Sequence, residues 1–274
     1  KMPELRWKGR RLTEVLNPQM QEDFYQFEGN TQALRLVTKL HYLVDEHGMN
    51  LTKGLLGAII KYPVSSLEID KKSGDIRTKK MGYFYADREV FQEIQESTGT
   101  FGKRHPLAFV LEAADDIAYR TADIEDAFKK GCITFARLVQ ELKDYCPEEQ
   151  DGDYKDMVSL LERRRTRAIE KGITRPDANA VQNWTVQVQG KMIRSATAGF
   201  VRHYEELMEG TCKKELLDGM PGTLMMRALG DIAYRYAFIS APILKLEVGA
   251  DAIFSFLLER FVDAAIRYDS DEPM

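Results

Sequence analysis

The sequence feature that most constrains the fold is a regular helical pattern over residues 105–123. Apolar residues recur there every three or four positions, which is the spacing of a helix with one buried face. Pro106 suits the first turn of such a helix, because the first backbone N–H groups of a helix have no partner within it. Similar periodicity runs along most of the chain, so the sequence predicts an all-α protein.

The predicted fold is a multi-helix bundle with one small irregular or β-hairpin insertion. In the insertion, residues 63–85, a turn at 71–75 separates two short segments, 66–70 and 76–79, for which a β-hairpin and an irregular loop are the alternatives. Helices are predicted at residues 11–17, 20–46, 52–61, 87–98, 106–128, 134–144, 154–171, 177–209, 213–219, 223–239 and 245–267.

Three polar side chains share one side of the helix predicted from residue 106. Asp115, Tyr119 and Asp123 are four residues apart, and each step turns about 40° past a full revolution. Two carboxylates and a phenol beside an apolar stripe are costly to bury without partners, which suggests a binding site. On spacing alone, acidic residues on an amphipathic helix are more often its solvated face, so both interpretations stay open at this point.

The amino-acid sequence of this predicted helix resembles that of a known family. Glu-Ala-Ala-Asp-Asp-Ile-Ala-Tyr at residues 112–119 and Ala-Asp-Ile-Glu-Asp-Ala at 122–127 closely resemble the deoxyguanosinetriphosphate triphosphohydrolases (dGTPases) of the HD-domain superfamily. The resemblance implies that Asp115 is a metal ligand and that Tyr119 and Asp123 hold the 3′-hydroxyl of a deoxyribose. The residue types suit these roles, since a carboxylate binds divalent cations and a phenol can donate a hydrogen bond to a hydroxyl.

Three further segments resemble the same family in the same order. They are Phe-Glu-Gly-Asn at residues 27–30, Asn-Leu-Thr at 50–52 followed by Lys-Tyr-Pro at 61–63, and Lys-Lys-Met-Gly-Tyr-Phe at 79–84. The resemblance implies that Asn30 lies near the phosphates of the substrate and that Lys61 and Lys80 contact its triphosphate. Taken one at a time, such lysines are usually solubilising surface residues. The basic loop that carries Lys80 fits either a solvated loop or a flap that brings positive charge to a polyphosphate.

The chain departs from the family pattern at the metal site. HD enzymes carry a His…His-Asp set of ligands before the Phe-Glu-Gly-Asn helix, but none of the four histidines here, His41, His47, His105 and His203, is followed by Asp or precedes Asn30. The catalytic residues and three of four metal ligands are therefore expected upstream of residue 1. The resemblance implies a divalent cation, Mg²⁺ or Mn²⁺ first, with Zn²⁺, Fe²⁺ or Ni²⁺ as alternatives.

Composition and charge set milder bounds. A formal net charge of −4 argues against a general nucleic-acid coat. The three cysteines, Cys132, Cys146 and Cys212, are too few for a disulfide framework, which fits a reducing cytoplasm. No apolar run approaches twenty residues, so no membrane anchor is expected. We expect a triphosphohydrolase core over residues 1–145 and a helical region packed on it over residues 146–274.

A basic cluster lies outside the family motifs. Arg163, Arg164, Arg165 and Arg167 crowd into one predicted helix. A solvated face or an ion-pair surface between subunits explains such a cluster most simply, and a regulatory nucleotide or single-stranded DNA site is the alternative.

Two functional hypotheses follow from the sequence. The first is metal-dependent hydrolysis of a deoxynucleoside triphosphate to the deoxynucleoside and tripolyphosphate, with this chain carrying part of the active site and assembling as a homo-oligomer. The second is a catalytically silent helical subunit or scaffold that assembles with itself or with an active paralogue. The missing His-Asp segment favours the second hypothesis, and the retained motif residues favour the first.

Overall fold

The computed structural model describes residues 2–41, 47–145 and 152–268. Helices dominate this part of the chain, which confirms the predicted all-α class. The α-helices, α1 to α12 in chain order, span Leu12–Val15, Pro18–Tyr25, Gly29–Arg35, Lys53–Ile59, Arg88–Thr98, Pro106–Lys129, Phe135–Tyr145, Gly152–Glu170, Pro176–Arg202, Tyr204–Met208, Thr223–Ala233 and Ala241–Tyr268. Short π-helical segments follow α3 at Leu36–Leu40 and α11 at Tyr234–Phe238.

Two short strands form an antiparallel hairpin near the N-terminus. Strand β1 (Arg6–Trp7) pairs with β2 (Arg10–Arg11), with Arg6 opposite Arg11 and Trp7 opposite Arg10. Lys8 and Gly9 connect the strands with φ angles of 48° and 76°. Positive φ at both turn positions is typical of the tightest hairpins, because that backbone twist matches the twist of the flanking strands.

The chain divides into two compact units. The first contains residues 1–111, 205–214 and 248–274, and the second contains residues 112–204 and 215–247. The predicted division at residue 145 concerned a catalytic core and a C-terminal region, and it stays a prediction.

The core of the first unit forms where α3, α4 and α5 meet. Leu34, Leu56 and Ile94 are almost completely buried there, and Phe91 stacks on Tyr83 with ring centroids 4.0 Å apart. This core fixes the relative positions of α3 and the segment that leads into α5, both of which carry motif residues.

The second unit is built on the long pair α8 and α9. Trp184 on α9 is fully buried, and its indole Nε1 donates a 2.7 Å hydrogen bond to the carbonyl oxygen of Met157 on α8. Helix α6 joins this core through Thr121, whose hydroxyl accepts a hydrogen bond from Gln189 on α9. These contacts fix which side of α6 is buried within the unit.

Most predicted helices are present, but three predictions are wrong. The helix predicted over 20–46 is interrupted at 26–28, where Glu28 caps a new helix, and residues 42–46 lie outside the described part of the chain. Residues 213–219 form turns instead of a helix, and the helix predicted over 177–209 ends at Arg202 before the separate α10.

The predicted hairpin in residues 63–85 is also wrong. Short 3-10 turns occupy Ser66–Glu68 and Ile76–Thr78, and the hydrogen bond from the Asp70 amide to the Thr78 carbonyl joins the two arms. The irregular alternative is therefore correct for this insertion. Of the helices in the described ranges, none is both long and apolar enough to span a bilayer.

Candidate functional site

The N-terminus of α3 organises part of the predicted phosphate site. Glu28 is the N-cap of α3, and its carboxylate accepts a hydrogen bond from the Thr31 amide at 3.3 Å. The Oε2 atom also accepts hydrogen bonds from Asn30 Nδ2 at 3.0 Å and from Lys80 Nζ at 3.2 Å. Two residues predicted to face phosphates, fifty positions apart, thus meet at one carboxylate.

A hydrogen bond between Thr31 on α3 and the backbone of Met81 holds the segment that carries Lys80 next to α3. Thr31 is buried, and its hydroxyl donates a 3.0 Å hydrogen bond to the carbonyl oxygen of Met81. Met81 itself is buried, so this contact lies in the interior. The sequence therefore places Lys80 beside the start of α3 through bonds that do not involve the lysine itself.

Gly82 brings the backbone of the Lys61 segment next to the same loop. A Cβ atom at Gly82 would lie 1.6 Å from the carbonyl oxygen of Tyr62, so no other residue fits there without a backbone shift. The Gly82 amide donates to the Val64 carbonyl at 2.9 Å. Lys61 and Lys80 consequently come from two adjacent segments in the first unit.

The lysines at the tip of the basic loop differ from Lys80 in their surroundings. Lys71 and Lys72 are exposed, and Asp70 turns the backbone there by accepting hydrogen bonds from the amides of Lys72 and Ser73. These lysines are not drawn into the contacts around Glu28. They provide natural controls for the role of Lys80.

Asp115, Tyr119 and Asp123 belong to the second unit. Helix α6 is uninterrupted from Pro106 to Lys129, so the three side chains share one side of it as predicted. Tyr119 is 65% exposed, whereas Asp115 and Asp123 are partly buried. An exposed phenol with a carboxyl group one turn away can donate to and accept from a ligand hydroxyl.

Asp123 lies in an environment that disfavours its charge. Partial burial raises the pKa of the Asp123 carboxyl above its ordinary value, the negative charge of Asp126 raises it further, and Arg120 opposes the shift. Arg120 is engaged elsewhere, because its guanidinium donates a 3.0 Å hydrogen bond to the carbonyl oxygen of Met226. The neighbouring cation therefore does not fully compensate the carboxylate.

The described residues do not fit a divalent metal on their own. Within residues 2–41, 47–145 and 152–268, no group of three or more His, Cys, Asp or Glu side chains is arranged to hold an ion. Protein metal sites normally need at least three protein ligands. Asp115 alone does not make such a site, so its role as a metal ligand remains a prediction.

Glu28 is the functional candidate that the sequence analysis missed. Its hydrogen bonds to Asn30 and Lys80 make it the centre of the cluster. The Phe-Glu-Gly-Asn motif already contained it, directly before a glycine and a new helix, where a side chain that accepts hydrogen bonds can cap the first turn. Its contact with Lys80 spans 52 residues of sequence and could not be read from local pattern.

Comparison with known proteins finds relatives named after the family that the motifs resemble. The chain is 40% identical over 268 residues to the deoxyguanosinetriphosphate triphosphohydrolase-like protein of Listeria monocytogenes, covering 97% of this chain and 56% of that protein. It is 30% identical over 273 residues to a probable deoxyguanosinetriphosphate triphosphohydrolase of Pseudomonas aeruginosa, covering 94% of this chain and 53% of that protein. A deoxyguanosinetriphosphate triphosphohydrolase of Yersinia enterocolitica is 29% identical over 254 residues, with coverage of 89% and 48%.

The similarities extend over nearly the whole chain, but the chain spans only about half the length of these relatives. No protein-family model matches the sequence. The names of the relatives support the dGTPase family for this chain.

Proposed function

We propose that this chain is part of a deoxynucleoside triphosphate triphosphohydrolase of the dGTPase type. The observation that carries the proposal is the meeting of Asn30 and Lys80 at the Glu28 carboxylate. The family resemblance implies phosphate binding for both residues. A dGTP-like substrate follows from the names of the relatives.

In this proposal, three side chains of the motif segments bind the triphosphate. Lys61 and Lys80 supply compact positive charges, and the Asn30 amide supplies a neutral donor, for oxygens of the phosphate chain. Glu28 holds Asn30 and Lys80 in position when no phosphate is bound, and the phosphate takes over those hydrogen bonds on binding. Exchanging one anion for another avoids leaving a lysine without a partner.

Tyr119 and Asp123 are proposed to select the sugar. The 3′-hydroxyl of the deoxyribose donates to the carboxylate of Asp123 and accepts from the phenol of Tyr119, so that a sugar lacking that hydroxyl leaves both groups unpaired. In the reaction, water adds to the α-phosphorus and the bond to the 5′-oxygen breaks. The products are the deoxynucleoside and tripolyphosphate, whose charge the lysines neutralise.

Metal dependence forms part of the proposal on the strength of the resemblance alone. Asp115 would supply one ligand to a divalent cation, and the remaining ligands would come from outside the residues described here. The isolated chain should then retain less than stoichiometric Mn²⁺, Mg²⁺, Zn²⁺ or Fe²⁺ after dialysis, as measured by elemental analysis. A stoichiometric ion lost in Asp115→Asn would show that residues of this chain complete the site.

The decisive experiment measures dGTP binding and turnover by this chain. Isothermal titration calorimetry with dGTP reports binding, and chromatography for deoxyguanosine and tripolyphosphate reports turnover with Mg²⁺ or Mn²⁺ present. We expect dGTP binding that is weakened in Lys80→Ala. Absence of dGTP binding at millimolar concentration would contradict the proposed substrate site.

The second candidate function is a catalytically silent helical subunit. It is favoured by the lack of any group of three candidate metal ligands in the described part of the chain. This candidate predicts no turnover with any divalent cation and stable association with itself or with an active paralogue. Turnover by the isolated chain would exclude it.

We propose self-assembly under both candidates. Helix α12 supports this, because large apolar side chains are exposed along its length, namely Leu244, Leu246, Val248, Ile253, Phe254, Phe256, Leu257, Leu258 and Phe261. Apolar clusters of this extent typically mark contact surfaces rather than solvated ones.

A further inference from the structure

Helix α12 has no buried residue along its 28 positions, Ala241–Tyr268. Every side chain between residues 251 and 261 is exposed, and large apolar ones occupy several sides of the helix, among them Ile253, Phe254 and Phe256. A helix that is apolar on all sides is normally enclosed by other parts of a protein. The self-assembly proposed above leaves open which surface of a second copy encloses this helix.

An apolar groove in the first unit lies beside the end of the same helix. Its volume is about 440 Å³, and Val262, Ala265 and Ile266 of α12 form one side of it. The other side is formed by aliphatic and aromatic residues near the N-terminus, namely Met2, Leu5, Trp7, Leu12, Phe24 and Tyr25. Since Phe24 and Tyr25 are exposed, the groove presents aromatic surface to the solvent.

The exposed apolar side chains of α12 lead along one face of the helix to this groove. The face consists of residues four, three and four positions apart, namely Phe254, Leu258, Phe261 and Ala265. These four positions fall within about 60° of one another around the helix axis, and Val262 lies next to them. A second helix that packs along this face therefore reaches the groove with its own side chains.

Two copies of α12 fill both grooves if they pack antiparallel. A twofold axis beside Leu258 places residue 254 of one copy opposite residue 262 of the other, because positions equally far before and after the axis face each other. Phe254 of each copy then enters the groove of the other copy next to Val262. Parallel packing would instead place Phe254 opposite Phe254 and leave both grooves empty.

The charges beside the groove and along α12 are complementary. The hairpin whose Trp7 lines the groove carries the exposed side chains of Arg6, Arg10 and Arg11. Asp251 is exposed on α12, one helical turn before Phe254. With Phe254 in the groove, Asp251 of one copy lies next to the basic hairpin of the other copy. Complementary charges of this kind steer association and fix the orientation of the partners.

We propose that α12 packs antiparallel on α12 of a second copy, with Phe254 in the groove of the other copy and Asp251 against its basic hairpin. The proposal rests on the self-assembly proposed above and specifies the surfaces that meet. The occupant is a second copy, because the groove, the side chain that fills it and the complementary charges all belong to this one chain. The twofold arrangement removes the apolar surfaces of both grooves from water.

Disulfide cross-linking of the full chain tests this contact. The background replaces Cys132 and Cys146 by alanine and keeps Cys212, which is buried. Tyr25→Cys at the groove and Phe254→Cys on α12 are made separately, mixed and oxidised. We expect a covalent species of twice the monomer mass from the mixture and from neither variant alone. In the mixed pair, Phe254 of the Tyr25→Cys copy still fills the second groove.

Ser255→Cys mixed with Tyr25→Cys is the matched control. Ser255 is exposed and follows Phe254 in sequence, but it lies about 100° away around the helix. We expect no cross-link from this mixture. The proposal is overturned if Ser255→Cys cross-links as well as Phe254→Cys does, or if Phe254→Cys cross-links with itself, as parallel packing requires.

Light scattering of the wild-type chain separates the failure of this contact from the failure of self-assembly. An assembled chain in which Tyr25→Cys and Phe254→Cys do not cross-link overturns the antiparallel contact and leaves self-assembly standing. A monomeric chain overturns both. Neither outcome depends on the substrate site, which the calorimetric titration with dGTP tests separately.

The charged contact has a measurement of its own. Asp251→Asn should raise the dissociation constant of the assembly by up to about fivefold at low ionic strength and leave it unchanged at high salt, because an exposed ion pair is weak and screened. Asp263→Asn is the control, since Asp263 pairs with Arg267 of its own helix at 3.1 Å. Analytical ultracentrifugation measures both constants. Equal weakening in the two variants would overturn the contact between Asp251 and the hairpin.

Discussion

Asp123 occupies a position that disfavours its charged form. Burial raises the pKa of its carboxyl group above 3.8, so the folded chain binds this proton more tightly than the unfolded chain does. Ionised Asp123 therefore lowers the free energy of unfolding at pH values above its folded pKa. The penalty fades as the pH falls through the folded pKa, and it is absent below 3.8.

Asp123→Asn should consequently raise the melting temperature at pH 7. Solvent screening limits the gain to below about 1 kcal/mol, which corresponds to at most about 3 °C for a chain of this size. Differential scanning calorimetry at several pH values should show the difference from wild type disappearing near pH 3. Glu170→Gln, at an exposed acid on α8, is the control and should not change the melting temperature. A destabilised Asp123→Asn at pH 7 would mean that the carboxylate has a structural partner.

Tyr119 permits a separate test of sugar recognition. Because its side chain is 65% exposed, removal of the hydroxyl in Tyr119→Phe should leave the melting temperature unchanged. In a dGTPase that contains this segment, kcat/KM for dGTP should fall by the equivalent of about 1–3 kcal/mol, the cost of an unpaired polar group. The 2′,3′-dideoxy substrate should be unaffected by the substitution. An equal loss for both substrates would refute contact with the 3′-hydroxyl.

At the scale of elements, substitutions in the basic loop show whether phosphate binding depends on the position of a lysine or only on its charge. Lys80→Ala should weaken tripolyphosphate binding about tenfold, since a charge-assisted contact is lost. Its partner Glu28 keeps its cap on α3, and the ion pair has an exposed lysine, so stability should change by less than about 1 kcal/mol. Calorimetric titration of tripolyphosphate and thermal melting measure the two effects.

Lys72→Ala provides the control in the same loop, because Lys72 is exposed at the tip and carries the same charge. It should change neither binding nor melting temperature. If Lys72→Ala and Lys80→Ala weaken binding equally, the loop acts only as a diffuse positive surface and the phosphate assignment of Lys80 is wrong.

Helix α6 and the insertion at residues 63–85 show how much of the fold the local sequence predicts. Helix α6 was predicted to within one residue at its end, because its apolar period is continuous and Pro106 suits its first turn. For the insertion at 63–85 the sequence left an irregular loop and a hairpin open, because its conformation depends on contacts with distant residues. Thr31 binds the Met81 carbonyl, and the Ile76 amide bonds to the Lys213 carbonyl, so tertiary contacts decide between the two alternatives.

The candidate site likewise contains a part that local sequence predicts and a part that it does not. Helical spacing was enough to place Asp115, Tyr119 and Asp123 on one side of α6. Helical spacing does not predict contacts between distant segments. The sequence therefore could not reveal that Glu28 binds both Asn30 and Lys80. Nor did a dense run of arginines disclose that Arg165 pairs with Asp177.

At the scale of the whole molecule, α12 carries a large exposed apolar surface. Phe254, Leu257, Leu258 and Phe261 lie one helical turn apart on one face and are exposed. A helix with such a face gains from burying it, at roughly 25 cal/mol per Å² of apolar surface. The chain should therefore exceed its monomer mass of 31.4 kDa in solution at micromolar concentration.

Multi-angle light scattering after size exclusion should show this assembly and its loss in Phe254→Glu/Phe261→Glu. The double variant places charges on a face that must be desolvated, which is costly without partners. Ser255→Glu is the matched control, because it adds charge at an exposed position of α12 without removing an apolar side chain. A monomeric wild-type chain would refute self-assembly through α12. Because the chain spans about half the length of its relatives, their remaining residues would then be the candidates to cover this face.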